Sequence, residues 1–185
     1  KIFGSSEVSL RLISVVASVF TIYVVYKISL FVGDRKVALF SSIFLATSSL
    51  GIYYSQEARM YMLTTLWVSL CVYYFLKISY EKKSLINWLM LSVFLSLSIF
   101  TLYVCVFIIF ALFASALILG WRKNKLAKLV CFSSLSLLPF IYWSKVLISQ
   151  LKVAEVVKFS GSLWWGVLGK TTIKELLLVP TKFML

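Results

Sequence analysis

The run Tyr54-Ser55-Gln56-Glu57-Ala58-Arg59-Met60-Tyr61 places an acid, an amide, a guanidinium and two phenols in one short stretch. If that stretch is helical, Glu57 and Tyr61 share one face and Gln56 and Arg59 an adjacent one. The same residues also fit an ordinary interfacial turn with a snorkelling arginine and tyrosines of an aromatic belt, and their types alone leave both readings open. Arg11 is a second candidate, because it opens an apolar run. It reads equally as a snorkelling anchor or as a cation with a buried role. Of the other acids, Asp34 and Glu81 sit in basic turns where solvation explains them, and Glu155 and Glu175 have helix amphipathicity and capping as sufficient roles. Glu7 and Glu57 remain. The chain has no histidine, so a Ser/His/Asp constellation is excluded, and no glycine-rich phosphate loop is present. Cys71, Cys105 and Cys131 are widely spaced inside apolar runs, which points to small core hydrophobes rather than a disulfide framework or zinc site. The residues identify no cofactor and give no support for a divalent metal.

These groups must be positioned by elements that live in lipid. Of 185 residues, 62% are hydrophobic and only 14% charged, with a mean hydropathy of +1.00. A soluble domain of this size could not hide so much apolar surface. Backbone groups in hydrocarbon must be satisfied within the structure, which leaves helices or a closed barrel, and the long unbroken apolar runs favour helices over alternating barrel strands. The formal charge of +13 does not call for nucleic acid, because most of the cations lie in short clusters between apolar runs, as membrane topology requires. The expected fold is therefore an all-α, polytopic transmembrane helix bundle of about six spans.

The spans are expected at Leu12 to Val32, Val37 to Tyr53, Met60 to about Leu76, two short crossings between Leu85 and Leu119, and Leu129 to Ile148. The stretch from Leu85 to Leu119 would be about 50 Å long as one helix, too long for a single crossing. Two short spans meeting near Thr101-Leu102-Tyr103 put Lys27/Arg35/Lys36, Lys77/Lys82/Lys83 and Arg122/Lys123/Lys125/Lys128 on one side, which the positive-inside rule makes cytoplasmic. Glu57 is then outside. Pro139 in the last span is tolerable where neighbours re-satisfy the freed carbonyl. The Ser/Leu-rich stretches Leu91 to Ser98 and Ser133 to Leu138 read as packing faces with small residues.

Residues 1–148 are thus expected to form the transmembrane bundle and 149–185 an extracytoplasmic, interfacial amphipathic segment. In the latter, Lys152, Glu155 and Lys158 interleave with Leu151, Val153, Val156 and Val157. Ser160-Gly161-Ser162 reads as a turn, Trp164-Trp165 suits the headgroup layer, and Thr172 with Glu175 fits a capping box. The chain begins without an initiator Met or a signal peptide and reads as a piece of a longer protein.

Phe3-Gly4-Ser5-Ser6-Glu7-Val8-Ser9-Leu10-Arg11-Leu12-Ile13-Ser14, then a span, a Gly-Asp-Arg-Lys turn, a second span and Tyr54-Ser55-Gln56-Glu57-Ala58-Arg59-Met60-Tyr61, resembles the protein O-mannosyltransferase and aminoarabinose-transferase group of membrane glycosyltransferases, which have the GT-C fold. The resemblance continues more weakly through Thr101-Leu102-Tyr103, Leu138-Pro139-Phe140 and Trp164-Trp165. It implies hexosyl or pentosyl transfer from a polyprenyl-phosphate-linked donor to an acceptor hydroxyl on a glycan, lipid or protein. It also implies an integral protein of a prokaryotic cytoplasmic membrane whose active face is extracytoplasmic. In such enzymes the main catalytic acid lies in the first outer loop, upstream of the Phe-Gly-Ser-Ser-Glu patch, so the 185 residues alone are expected to be inactive. The family's Thr-His-Tyr pattern has Leu102 at its histidine position.

Inverting transfer needs a carboxylate to take the acceptor proton and cations to stabilise the leaving phosphate. Arginine suits the second task because its planar fork grips phosphate and stays charged beside lipid. Under the resemblance, Arg11 and Arg59 are the candidates for it, in one outward-facing cavity. Tyr54, Gln56 and Tyr61 would be further substrate-binding residues, and Glu57 an accessory that orients an arginine or the acceptor rather than the base. A transporter or flippase for a lipid-linked glycan is the alternative. Transporters place charges or broken helices near the midplane and often show inverted repeats, whereas here the polar residues gather at the outer surface.

Overall fold

The computed structural model describes residues 7–57, 60–80 and 85–159. Expectations placed on Phe3 to Ser6, Arg59, the Glu81-Lys82-Lys83 cluster, Trp164-Trp165 and the Thr172/Glu175 capping box lie outside those residues, as do the side chains of Glu7, Lys152, Glu155 and Lys158. The described secondary structure is helical: α1 (Glu7–Val32), α2 (Arg35–Ala46), α3 (Ser49–Gln56), α4 (Tyr61–Tyr80), α5 (Leu85–Thr101), α6 (Val106–Ile118), preceded by a 3-10 turn at Tyr103–Cys105, and α7 (Lys123–Phe159). The chain divides into two compact units, Lys1–Phe140 and Ile141–Leu185. The bundle that holds the candidate site belongs to the first.

Helices α1 and α4 run parallel, side by side. The hydroxyl of Ser14, near the start of α1, reaches the chain just ahead of α4, while Phe31 at the end of α1 packs on Tyr73 and Tyr80 near the end of α4, with ring centroids 5.9 and 6.1 Å apart. Ala17, Val24, Met62 and Leu66 fill the seam between them. Buried Ser14, Ala17 and Thr21 keep that face of α1 small, which lets helices approach where lipid supplies no hydrophobic drive. The Thr21 hydroxyl donates to the Ala17 carbonyl at 2.7 Å, so its burial leaves no polar group stranded.

α5 returns antiparallel along α4. Phe94 in its middle stacks on both Trp67 and Tyr74, at 5.8 and 5.5 Å. The apolar stretch then breaks where expected: Leu102 is extended (φ −149°, ψ 115°), a 3-10 turn follows, and α6 runs back. The return is fixed by Trp121, just past α6, whose ring lies 6.1 Å from Trp88 near the start of α5 and 4.9 Å from Phe75 near the end of α4. α6 ends in a Schellman motif. Gly120 takes φ 66°, its N–H donates to the Leu117 carbonyl, and the Trp121 N–H donates to that of Ala116. The serine stretches pack as expected: Ser92, Ser98, Ser133 and Ser136 are buried, and Ser96 on α5 donates to the Ser136 carbonyl of α7 at 2.7 Å.

Four expectations change in detail. The second span is two helices bent by 55° at Thr47–Ser48 rather than one; Ser48 caps α3 by accepting from the Gly51 N–H at 3.2 Å, and such capping competes with continuing the helix. α4 extends four residues past Leu76, to Tyr80. α7 continues through Ile148 to Phe159, with Pro139 inside it. Cys131 is exposed on α7, unlike buried Cys71 and Cys105, because it is the neighbouring residue Phe132 that faces the core and stacks on Trp88.

Among the described residues, α1 from Arg11 to Val32 and α4 are long and apolar enough to cross a membrane, and the bent pair α2–α3 adds a third span if counted as one; α5 and the segment Tyr103–Ile118 are shorter apolar helices. The outward surface fits that solvent. Phe40, Phe44 and Ile118 are 72%, 79% and 87% exposed, a density of bare apolar groups that water would not sustain.

Candidate functional site

The parallel packing of α1 and α4, with α5 and α6 antiparallel to their neighbours, sorts the polar residues by end. At one end lie Lys27, Arg35, Lys36, Lys77, Arg122, Lys123, Lys125 and Lys128. At the other lie Arg11, the turn after α3, the start of α4 and the Thr101-Leu102-Tyr103 break.

α3 stops at Gln56, and Glu57 is its extended C-cap (φ −84°, ψ 128°). The helix therefore does not continue through Glu57, and the condition under which Glu57 and Tyr61 would share one helical face is not met. The eight-residue α3 begins at the Ser48 cap, and the carbonyls at the end of any helix need donors from outside it. One comes from α1. The Ser14 hydroxyl donates to the Glu57 carbonyl at 2.8 Å, across a sequence separation of 43 residues. Ser14 is buried, so this tie holds the turn against α1 below the surface of the bundle.

Arg11 lies three residues before Ser14 on α1, hence on a neighbouring position of the same helix surface and about 4.5 Å further along the axis. Its side chain is exposed, that of Glu57 half-buried, and that of Gln56 exposed. Across the turn, the rings of Tyr54, in the last turn of α3, and Tyr61, which begins α4, meet edge-on at 5.3 Å, and Tyr53 packs edge-on against Tyr54 at the same distance. Two tyrosines expected in the site are thus brought together, and the Arg11 and Glu57 segments are joined through Ser14. Arg59 lies outside the described residues.

Ser14 is the residue that reading the sequence missed. It stands inside the Phe3 to Ser14 patch, but its type gives no sign of a partner 43 positions away. Its spacing of one turn from Arg11 was the available signal. Just below the turn, Ser18 and Ser55 with Ala46, Gly51, Ile52 and Met62 enclose part of a cavity of about 120 Å³ at the α2–α3 bend. Irregular backbone at membrane depth is tolerated where it borders such a space. Among the described residues, no group of three or more His, Cys, Asp or Glu side chains converges as a metal site would require.

Residues 1–143 match the family model described as dolichyl-phosphate-mannose-protein mannosyltransferase. The match takes in both sides of the Ser14–Glu57 tie and the whole of α1 to α6. Among curated proteins and among solved structures, none matches.

Proposed function

The chain belongs to the dolichyl-phosphate-mannose-protein mannosyltransferase family, and from that premise we propose that it takes part in moving a sugar from a polyprenyl-phosphate donor to an acceptor hydroxyl at the extracytoplasmic face. As a family member it is a membrane glycosyltransferase of the GT-C type. The finer reading places the end with Arg11 and Glu57 outside and the basic end in the cytoplasm of a prokaryotic cell, with six crossings in residues 1–148 and an interfacial segment after them.

The observation that carries this reading is the 2.8 Å bond between Ser14 and the Glu57 carbonyl. It joins the two sequence patches that resemble the family, at the end of the bundle away from the basic clusters. On this reading Arg11 and Arg59 grip the phosphate of the donor as the glycosidic bond breaks. Their forks supply charge-assisted, two-pronged hydrogen bonds where developing negative charge is poorly hydrated. Glu57 orients an arginine or the acceptor, and Tyr54, Gln56 and Tyr61 line the approach. The acid that takes the acceptor proton is, by the resemblance, in the first outer loop ahead of the Phe-Gly-Ser-Ser-Glu patch.

The test is Arg59→Lys and Arg11→Lys in the full-length enzyme, assayed with a radiolabelled polyprenyl-phosphate sugar. Both variants should insert normally and lose turnover by at least about tenfold, roughly 1.4 kcal/mol of transition-state stabilisation. Wild-type turnover after Arg59→Ala would overturn the phosphate assignment.

A further inference from the structure

The end of the bundle remote from Glu57 carries a feature the transfer reaction does not use. Three stretches far apart in sequence deliver cations to it: the end of α1 and start of α2 with Lys27, Arg35 and Lys36, the last turn of α4 with Lys77, and Arg122 with the start of α7, which carries Lys123, Lys125 and Lys128. Against these, Asp34 is the one acid of that end among the described residues. Arg35, Lys36, Arg122, Lys123 and Lys128 are exposed.

The clusters are held in register by a belt of rings at the same depth. Phe31 of α1 packs on Tyr73 and Tyr80 of α4. Phe75 of α4 stacks on Trp121 at 4.9 Å, and Trp121 meets Trp88. The Schellman turn at Gly120 seats Trp121 there. Lys125 lies 4.1 Å over the Trp121 ring and Lys77 5.7 Å over that of Tyr73, so these two are fixed to the belt while their exposed neighbours project beyond it. Aromatic rings and cations at one level mark headgroup depth. A phosphate at that depth meets a preorganised field of one sign, with little carboxylate to compete.

We propose that this face is a binding surface for the phosphate headgroups of anionic phospholipids in the surrounding leaflet, centred on the exposed Arg122, Lys123 and Lys128 around Trp121. The membrane lipid is favoured over a soluble polyanion because the cations sit at the ends of apolar helices, level with the ring belt, where lipid phosphate is already concentrated. Each Lys or Arg at an anionic membrane surface strengthens association about fivefold, an effect that salt screens.

The experiment is native mass spectrometry of the full-length protein released from mixed micelles containing equal phosphatidylglycerol and phosphatidylcholine. Wild type should retain phosphatidylglycerol in preference by on the order of tenfold or more. Arg122→Gln/Lys123→Gln/Lys128→Gln should bring the two lipids close to parity, whereas the charge-keeping Arg122→Lys/Lys123→Arg/Lys128→Arg should preserve the preference. The neutralised triple leaves Lys125 on Trp121, so an unchanged elution profile and melting point separate lost binding from lost fold. Equal retention by the wild type, a preference that survives neutralisation, or displacement of the lipid by a short RNA at equal concentration would each overturn the proposal.

Discussion

Replacing Ser14 by alanine removes the hydroxyl that donates to the Glu57 carbonyl at 2.8 Å and nothing else of the side chain. A hydrogen bond of this kind is worth about 1 kcal/mol net, and removing the donor from a buried acceptor costs about 1–3 kcal/mol. Ser14 is buried and the turn is otherwise tethered by the edge-on Tyr54–Tyr61 pair, so about 1–2 kcal/mol is the expected loss. If that energy holds the Gln-Glu-Ala-Arg turn in its reactive position, it appears in the barrier as a fall of about 5- to 30-fold in kcat/KM. The assay is transfer from a radiolabelled polyprenyl-phosphate sugar by the full-length enzyme in nanodiscs, with thermal inactivation measured in parallel. Ser14→Thr keeps the hydroxyl and should recover most of the activity. Unchanged kcat/KM in Ser14→Ala with a lowered inactivation temperature would show that the tie serves packing alone. Equal damage from alanine and threonine would show that volume rather than the donated hydrogen bond matters.

Three further outcomes are expected. Gly120→Ala meets no atom within 4 Å of its new Cβ but keeps φ at 66°, so it should cost about 1 kcal/mol through backbone strain alone; Gly120→Asn should cost less, and equal melting temperatures for alanine and wild type would contradict this. Ser96→Ala deletes the bond from α5 to the Ser136 carbonyl and should lower bundle stability by about 0.6 kcal/mol, the mean for such bonds within membranes; a loss above about 2 kcal/mol in a detergent-unfolding titration would mean the serine does more than donate. A cysteine placed at Lys123 in a background without the native cysteines should stay unlabelled by an impermeant maleimide until cells are permeabilised, while one at Gln56 should react at once. Labelling of position 123 from outside would refute the double crossing between Leu85 and Leu119.

Helix placement was legible because run length and charge speak directly to the bilayer. The break near Leu102 followed from arithmetic alone: 35 uncharged residues exceed what one crossing can hold, and the chain had to turn back to keep Arg122 and Lys123 with Lys77. The bend at Thr47–Ser48 was hidden, because Leu-Ala-Thr-Ser-Ser-Leu-Gly is compatible with an uninterrupted membrane helix. The Ser48 hydroxyl accepts from the Gly51 N–H and a cavity lined from α1 by Ser18 and Ile22 borders the bend, neither of which residue types announce. The end of α3 was left open by residue types: Glu57 and Tyr61 share a face only if the helix runs on, and α3 stops at Gln56 with Glu57 extended.

The placing of the Glu57 carbonyl against Ser14 follows that bend. α1 and α4 are parallel, so the chain must recross the bundle between them to bring the second family-like patch back to the level of the first. A helix of Arg35 to Gln56 without a break would be about 33 Å long, enough for the return, but it would deliver its end along the axis of α2. The 55° bend turns the last eight residues so that the terminal carbonyl of Glu57 comes within 2.8 Å of a hydroxyl on α1. Here the irregular segment, rather than the regular apolar face, sets where Arg11 and the Glu57 turn stand relative to each other, which is why composition and periodicity gave the bundle and could not give the site.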